Sequence, residues 1–158
     1  MSALPSHAPP ADRVRANTWP AVNAALDRDA ELRVRAAAAA TPDALDARIE
    51  RSDREWDFDR VIETEAPLMG MAGLALGLAV DRRLLAVPAF VSAMLLLHAT
   101  HGWYPLLPVF RRLGVRSRDE IERERHALVA LRGDFGDVPP AGSPAAERAS
   151  AAWKAVCA

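Results

Sequence analysis

Between Ala66 and Phe110 the chain carries ionic side chains at only three positions, Asp81, Arg82 and Arg83. This gap constrains the fold more than any other feature of the sequence. A helix on the surface of a water-soluble domain has a wet face and so carries charge along its length. Ala66–Val80 and Leu84–Phe110 carry none. As a helix, the first stretch rises about 22 Å, against a hydrocarbon core of roughly 30 Å. Val61, Ile62 and Thr64 extend it at one end, and Arg82 and Arg83 can snorkel at the other. The second stretch is long enough to cross unaided. Pro88 falls in its first turn, where proline is tolerated, and Pro105 and Pro108 end or kink it. The link at Asp81–Arg83 is short, which makes the two helices antiparallel neighbours. The expected fold is therefore all-α: a transmembrane two-helix hairpin over residues 66–110, flanked by amphipathic cytoplasmic helices.

The flanks read differently. Residues 1–16 are proline-rich at the start and are expected to be disordered. Met1–Pro10 has no basic region and three prolines, so it does not resemble a signal peptide, and Ala66–Val80 is expected to act as its own insertion signal. Residues 17–65 read as a charged cytoplasmic helical arm. In it, Thr18 is a candidate N-cap for a helix over Pro20–Ala40, and Thr41–Pro42 opens a second. Leu45, Ile49, Ser52 and Trp56 form one apolar stripe along that second helix. Residues 111–136 hold a cytoplasmic helix, Ser117–Arg132, with Ser117 and Glu120 at capping-box spacing and Gly133 placed for a C-cap. Ile121, Leu128 and Leu131 share its face, and packing through Ile49, Trp56, Leu128 and Leu131 is expected. Residues 137–158 read as a flexible tail, with Trp153 and Val156 expected in a last short helix. Cys157 is the one cysteine, which excludes an internal disulfide and a Cys-based zinc site.

Charge sets the expected orientation. Arg48, Arg51, Arg54 and Arg60 precede the first span, and Arg111, Arg112, Arg116, Arg118, Arg123 and Arg125 follow the second. Ten arginines at the open end against two at the turn place both termini in the cytoplasm of a bacterial inner membrane. Trp103 and Tyr104 beside Arg111 and Arg112 suit a membrane interface. Gly70, Gly73 and Gly77 lie within an apolar helix, the last two in GxxxG spacing. In hydrocarbon, small residues let helix backbones approach, either within the hairpin or between two copies. The alternative is a soluble α-helical dimer in which both apolar helices form the core.

His98 and His101 lie three apart near the end of the second span. They are candidates for a metal site or a pH-responsive pair, against an ordinary role as interfacial polar residues. Glu63 and Glu65 precede the first span and can approach them. The sequence contains no phosphate-binding loop, dinucleotide fingerprint or nucleophile elbow, so no catalytic residue and no cofactor is assigned. Acidic residues (21) match basic ones (20), which speaks against nucleic acid as a partner. The expected partners are the lipid bilayer and either a second copy or another membrane protein.

Glu55–Arg60 (EWDFDR), Gly70, Gly73, and then HGWYPLLPVFRRLGVRSRDEIERERHALVALRGDF resemble the YgaP-like transmembrane domain family. The resemblance covers about Asn17 to Phe135 and is strongest from Gly102 onward. It implies a two-helix inner-membrane domain of unknown function, found alone or fused to a rhodanese sulfurtransferase. It therefore also raises an accessory role in a sulfur or redox system. The family commonly has cysteine just before the proline of the Gly-Trp-x-Pro element, whereas this chain has Tyr104. Thiol chemistry at that position is thus absent, and no rhodanese-type active-site loop is present.

Overall fold

The structure, a computed structural model, describes residues 12–140 and, beyond them, positions 143–144, 146–147, 149–151 and 155. Cys157, Trp153 and Val156 lie outside the described residues. Among the described residues the chain is all-α, with no strand. The helices are α1 (Arg13–Ala16), α2 (Pro20–Ala37), α3 (Pro42–Arg54), α4 (Phe58–Ala79), α5 (Ala86–His101), α6 (Leu107–Arg112) and α7 (Arg118–Arg132). A 3-10 turn over Arg82–Leu85 precedes α5. The chain separates into two compact units. One holds the residues up to Leu26 together with Trp56–Asp119, and the other holds Asp27–Glu55 and the residues from Glu120 onward.

The first unit is built on the hairpin of α4 and α5. Asp57 caps α4, its carboxylate accepting from the Arg60 amide at 2.7 Å. Phe58, Ile62, Ala66, Gly73 and Gly77 are the buried positions of α4, recurring at steps of four and seven and so lining one face. At the tip, the Asp81 carboxylate accepts from the Arg83 amide at 2.9 Å, which starts the 3-10 turn as soon as α4 ends. The return is thus as short as the sequence implies.

The seam of the hairpin is made of glycine. A Cβ on Gly73 would sit 2.7 Å from Val87 Cβ, and one on Gly77 would sit 2.6 Å from Leu85 Cδ2. Gly70 differs, since a Cβ there would meet nothing within 4 Å. The GxxxG pair is therefore filled from within the chain, and Gly70 stays open.

Two helices are long and apolar enough to cross a membrane, one ending at Ala79 and the other spanning Arg82–His101. Their most apolar stretches are 22% and 6% buried inside the protein. The core helix of a water-soluble domain is mostly buried, and these are not. Leu68, Met71, Leu74, Leu78, Phe90 and Leu96 all point away from the protein.

The structure corrects several sequence expectations in this unit. The second apolar helix ends at His101, not near Phe110. Gly102 takes the left-handed conformation (φ 75°) and its amide donates to His98 O, which closes the helix. The residues after it turn back and start α6, with Pro108 in its first turn and Gly114 (φ 90°) just past its end. Residues 12–16, expected to be disordered, are ordered: Val14 is buried in the hairpin core with Phe58, Ile62 and Val91. Thr18 does not cap α2. Its hydroxyl donates to Val14 O at 2.7 Å, and the carbonyl receiving the first helical amides is that of Trp19.

In the second unit α3 and α7 supply the core. Leu45 and Ile49 pack with Ala37, Leu128 and Val129. Trp56 and Leu131, expected to join this packing, are exposed, and Arg60 stacks over the Trp56 ring at 4.6 Å. Thr41 stands at the N-cap of α3, but its hydroxyl makes no capping bond. Ion pairs rim the core. Arg33 reaches the largely buried Glu124 at 2.9 Å, and Arg125 reaches Asp53 at 2.6 Å. Arg132 bonds Asp46 at 2.9 Å and grips both oxygens of Asp134. Gly133, in the left-handed conformation, ends α7 as expected. The described positions from Ala146 to Ala155 in the expected flexible tail are helical.

Two outcomes follow. Replacing glycine by alanine inside a helix adds up to about 1 kcal/mol of helix propensity, whereas overpacking a tight contact takes away about 1–3 kcal/mol. Gly70→Ala is therefore expected to leave the melting temperature in detergent unchanged or raise it, and Gly73→Ala to lower it. Equal effects at the two positions would refute the seam. The second outcome concerns pH. Hydrogen bonding to Arg132 holds the Asp134 carboxyl below its ordinary value. The stabilisation it contributes is full above the ordinary carboxylate range, near pH 4, and is lost as pH falls through the lowered value. Acid titration followed by far-UV circular dichroism should show a smaller loss of stability in Asp134→Asn than in the parent, with the parent the more stable at neutral pH.

Candidate functional site

The first unit gathers polar side chains where the hairpin opens. The last turn of α5 leaves carbonyls without helical partners. Arg13 donates to Ala99 O at 2.6 Å and Asn17 donates to His101 O at 2.9 Å, so α1 and the residue after it close the end of α5. The fit requires glycine at 102, where a Cβ would lie 2.4 Å from Arg13 Cβ on a backbone of positive φ.

Beside this cap, α4 and α5 meet through two polar pairs. His98 Nε2 lies 2.9 Å from Asp59 Oδ1. The Tyr104 hydroxyl donates to Glu65 Oε2 at 2.8 Å. Aromatic rings surround them: Phe58 lies 5.6 Å from the His98 ring and 6.1 Å from that of Phe110, and the Tyr104 ring stands edge-on to His98 at 6.3 Å. Tyr104, beyond the end of α5, is buried. Burial and then Glu65, as hydrogen-bond partner and as charge, push its phenol up to about 12. It therefore stays protonated and remains a donor through the physiological range.

Glu65 Oε1 and His98 Nδ1 are both buried, with no hydrogen-bond partner among the described residues. With Nε2–H directed at Asp59, Nδ1 of the neutral ring is an acceptor. Asp59 is half-exposed and the His98 ring largely covered, so the pair runs from solvent into the apolar interior. The His98–Asp59 contact joins α5 to α4 across the mouth of the hairpin.

A third polar centre lies deeper in the same unit. The Arg111 guanidinium is buried and donates to Thr18 Oγ1 at 3.0 Å, Asn23 Oδ1 at 2.9 Å and Val115 O at 3.1 Å. It ties α6 to the start of α2. Near it, Ser117 Oγ donates to Asp12 Oδ2, and the Phe58 amide donates to Arg116 O at 2.9 Å.

These positions redistribute the residues singled out from sequence. Tyr104 and Arg111, expected at a membrane interface, are interior, because the turn at Gly102 folds them back onto α4 and α2. Trp103 and Arg112 are exposed. His98 and His101 do not form a pair: His98 faces Asp59, while His101 Nδ1 meets Thr100 Oγ1 at 2.7 Å. Among the described residues no three His, Cys, Asp or Glu side chains come together to hold a metal ion. Glu65 does enter the cluster, but its partner is Tyr104 rather than a histidine, and the acid on His98 is Asp59. Asp59 was missed because helical periodicity locates faces within one helix and says little about which residues meet across a hairpin. No family model, curated protein or solved structure matches the chain.

The Tyr104–Glu65 bond is open to a direct test. Tyr104→Phe leaves both Glu65 oxygens unpaired in a covered site, a loss of about 1–3 kcal/mol. Removing both partners, as in Tyr104→Phe with Glu65→Leu, should restore much of that stability. The check is a double-mutant cycle of thermal unfolding in detergent. Additive losses would show that the two side chains are not coupled.

Proposed function

We propose that the chain is a non-enzymatic integral membrane hairpin that works by holding a second copy or another membrane protein at the bacterial inner membrane. In this reading α4 and the segment Arg82–His101 cross the bilayer as an antiparallel pair, with both termini in the cytoplasm. One observation carries it: two helices of membrane-spanning length keep most of their apolar surface outside the protein. Soluble monomers rarely expose contiguous apolar patches larger than a few hundred Å². A bilayer covers that surface on every side of the pair, whereas a soluble dimer covers one face. Both spans are helical, so backbone groups pair largely within each helix, and Arg13 and Asn17 take the Ala99 and His101 carbonyls at the end of α5.

Charge supports the orientation. Arg82 and Arg83 stand at the tip, while in sequence the ten arginines counted above precede the first span or follow the second. The resemblance of Gly102–Phe135 to the YgaP-like transmembrane domain family points the same way. Gly73 and Gly77 serve the hairpin itself, so a helix from a second copy or a partner has Gly70 and the outward leucines and methionines to pack on.

Carbonate washing of membranes from expressing cells tests insertion, and the protein is expected in the pellet. Release into the supernatant would favour the soluble dimer. Topology is read by single cysteines in a Cys157→Ser background. Arg83→Cys should react with a membrane-impermeant maleimide in intact spheroplasts, and Asp137→Cys only after lysis. The reverse pattern would invert the orientation.

A further inference from the structure

The outward surface of α6 is not explained by the hairpin alone. Leu107 and Arg111 point inward, which leaves Pro108, Val109, Arg112 and Leu113 exposed on the other side. Val109 and Leu113 are four residues apart, so they share a face. Leu113 is 74% exposed, an unusual position for a leucine beside a tight Gly114 turn. Trp19, 67% exposed, lines a shallow groove with Val22, Pro108 and Arg112. Trp103 is exposed at the junction between α5 and α6. Two indoles, two aliphatic side chains and an arginine without an ion pair among the described residues thus crowd the open end of the hairpin.

We infer that this α6–Trp19 face is a membrane-surface platform that lies in the headgroup region of an anionic leaflet. The inference rests on the hairpin reading and extends it to a lipid class. Three observations favour lipid over a protein occupant. The exposed Trp103 stands just past the end of α5, whose apolar surface is left uncovered, with only Gly102 between it and His101. Its composition is that of an interface, because indole has an apolar body and one polar N–H, and so sits between acyl chains and water. Its charge also fits: exposed Arg112 lines the same groove as Trp19, and a basic side chain near an anionic leaflet is attracted to it. Helix α6 is too short to anchor a protein by itself. Held by Arg111 to Thr18 and Asn23, it is a fixed foot that sets how deep the hairpin sits.

The test reads depth for each tryptophan separately. Full-length variants keep one tryptophan at a time, at position 19 or 103, with the others changed to Phe. A reference variant has no native tryptophan and carries Phe90→Trp in the middle of the second span. Each is reconstituted in vesicles of zwitterionic and anionic phospholipid, brominated either near the glycerol end or near the middle of the acyl chains. Fluorescence from Trp19 and Trp103 should be quenched more by the shallow bromines. The Phe90→Trp probe should be quenched more by the deep ones. Val109→Asp with Leu113→Asp should abolish shallow quenching at Trp19 and leave the Phe90→Trp signal unchanged. If the Phe90→Trp probe is quenched while Trp19 and Trp103 are not, the platform is overturned and the hairpin stands. If no probe is quenched, both readings fall.

Discussion

The close approach of α4 and α5 at Gly73 and Gly77 is the contact on which the rest of the first unit depends. With a side chain at either position the helices would be held apart, and Val87 and Leu85 would lose the surfaces they now rest on. Close contact between backbones is favourable in either solvent, but its consequences differ. In water, the remaining apolar circumference of two such helices would need a further protein layer. Among the described residues the unit supplies that layer only at the open end, through α1, α6 and the segment Trp103–Leu106. Toward the tip the pair stands alone. The narrow glycine seam and the bare leucines are thus parts of one arrangement, in which packing serves the inner face and the surroundings must serve the outer one.

The open end has a different physical task. An apolar helix terminating beside polar residues must satisfy its last carbonyls and any charge drawn in with them. Arg13 and Asn17 take the carbonyls, Asp59 takes His98, and Tyr104 takes one oxygen of Glu65. Each contact joins segments far apart in sequence, so the order of residues 12–18 follows from the needs of residues 99–104. The N-terminal segment looked disordered because its proline-rich start dominated its composition, and composition says nothing about a distant carbonyl that needs a donor.

What the sequence made legible was what depends on near neighbours. The two apolar stretches, the short turn at Asp81–Arg83, Pro42 at the start of α3 and Gly133 at the end of α7 are all local rules, and the structure places them accordingly. The Gly102 stop and the Pro108–Gly114 bracket around α6 were also written locally. They were hidden by the absence of charge through Phe110, which made one long span the simpler reading. The interior roles of Tyr104 and Arg111 had no local signature. An aromatic pair next to two arginines reads as an interface, and only the reversal at Gly102 turns one member of each pair inward while leaving Trp103 and Arg112 outside.

That division bears on the length of the spans. Between Glu65 and Asp81, α4 offers about 15 uncharged residues, a rise of roughly 22 Å, and the stretch from Leu84 to His98 is similar. The helices that contain them are long enough to cross, but these uncharged stretches alone fall short of a hydrocarbon core of about 30 Å, so in a bilayer the polar residues at each end must be accommodated. At the tip, long arginine side chains can reach outward to the headgroups. At the open end the first polar groups met are those already joined to one another, Glu65 with Tyr104 and Asp59 with His98. Pairing lowers the penalty for drawing such groups toward apolar surroundings, because fewer donors and acceptors are left unsatisfied. The polar cluster therefore lengthens the hairpin's tolerable depth at one end only. This asymmetry would let the hairpin cross while its open end stays at a defined level.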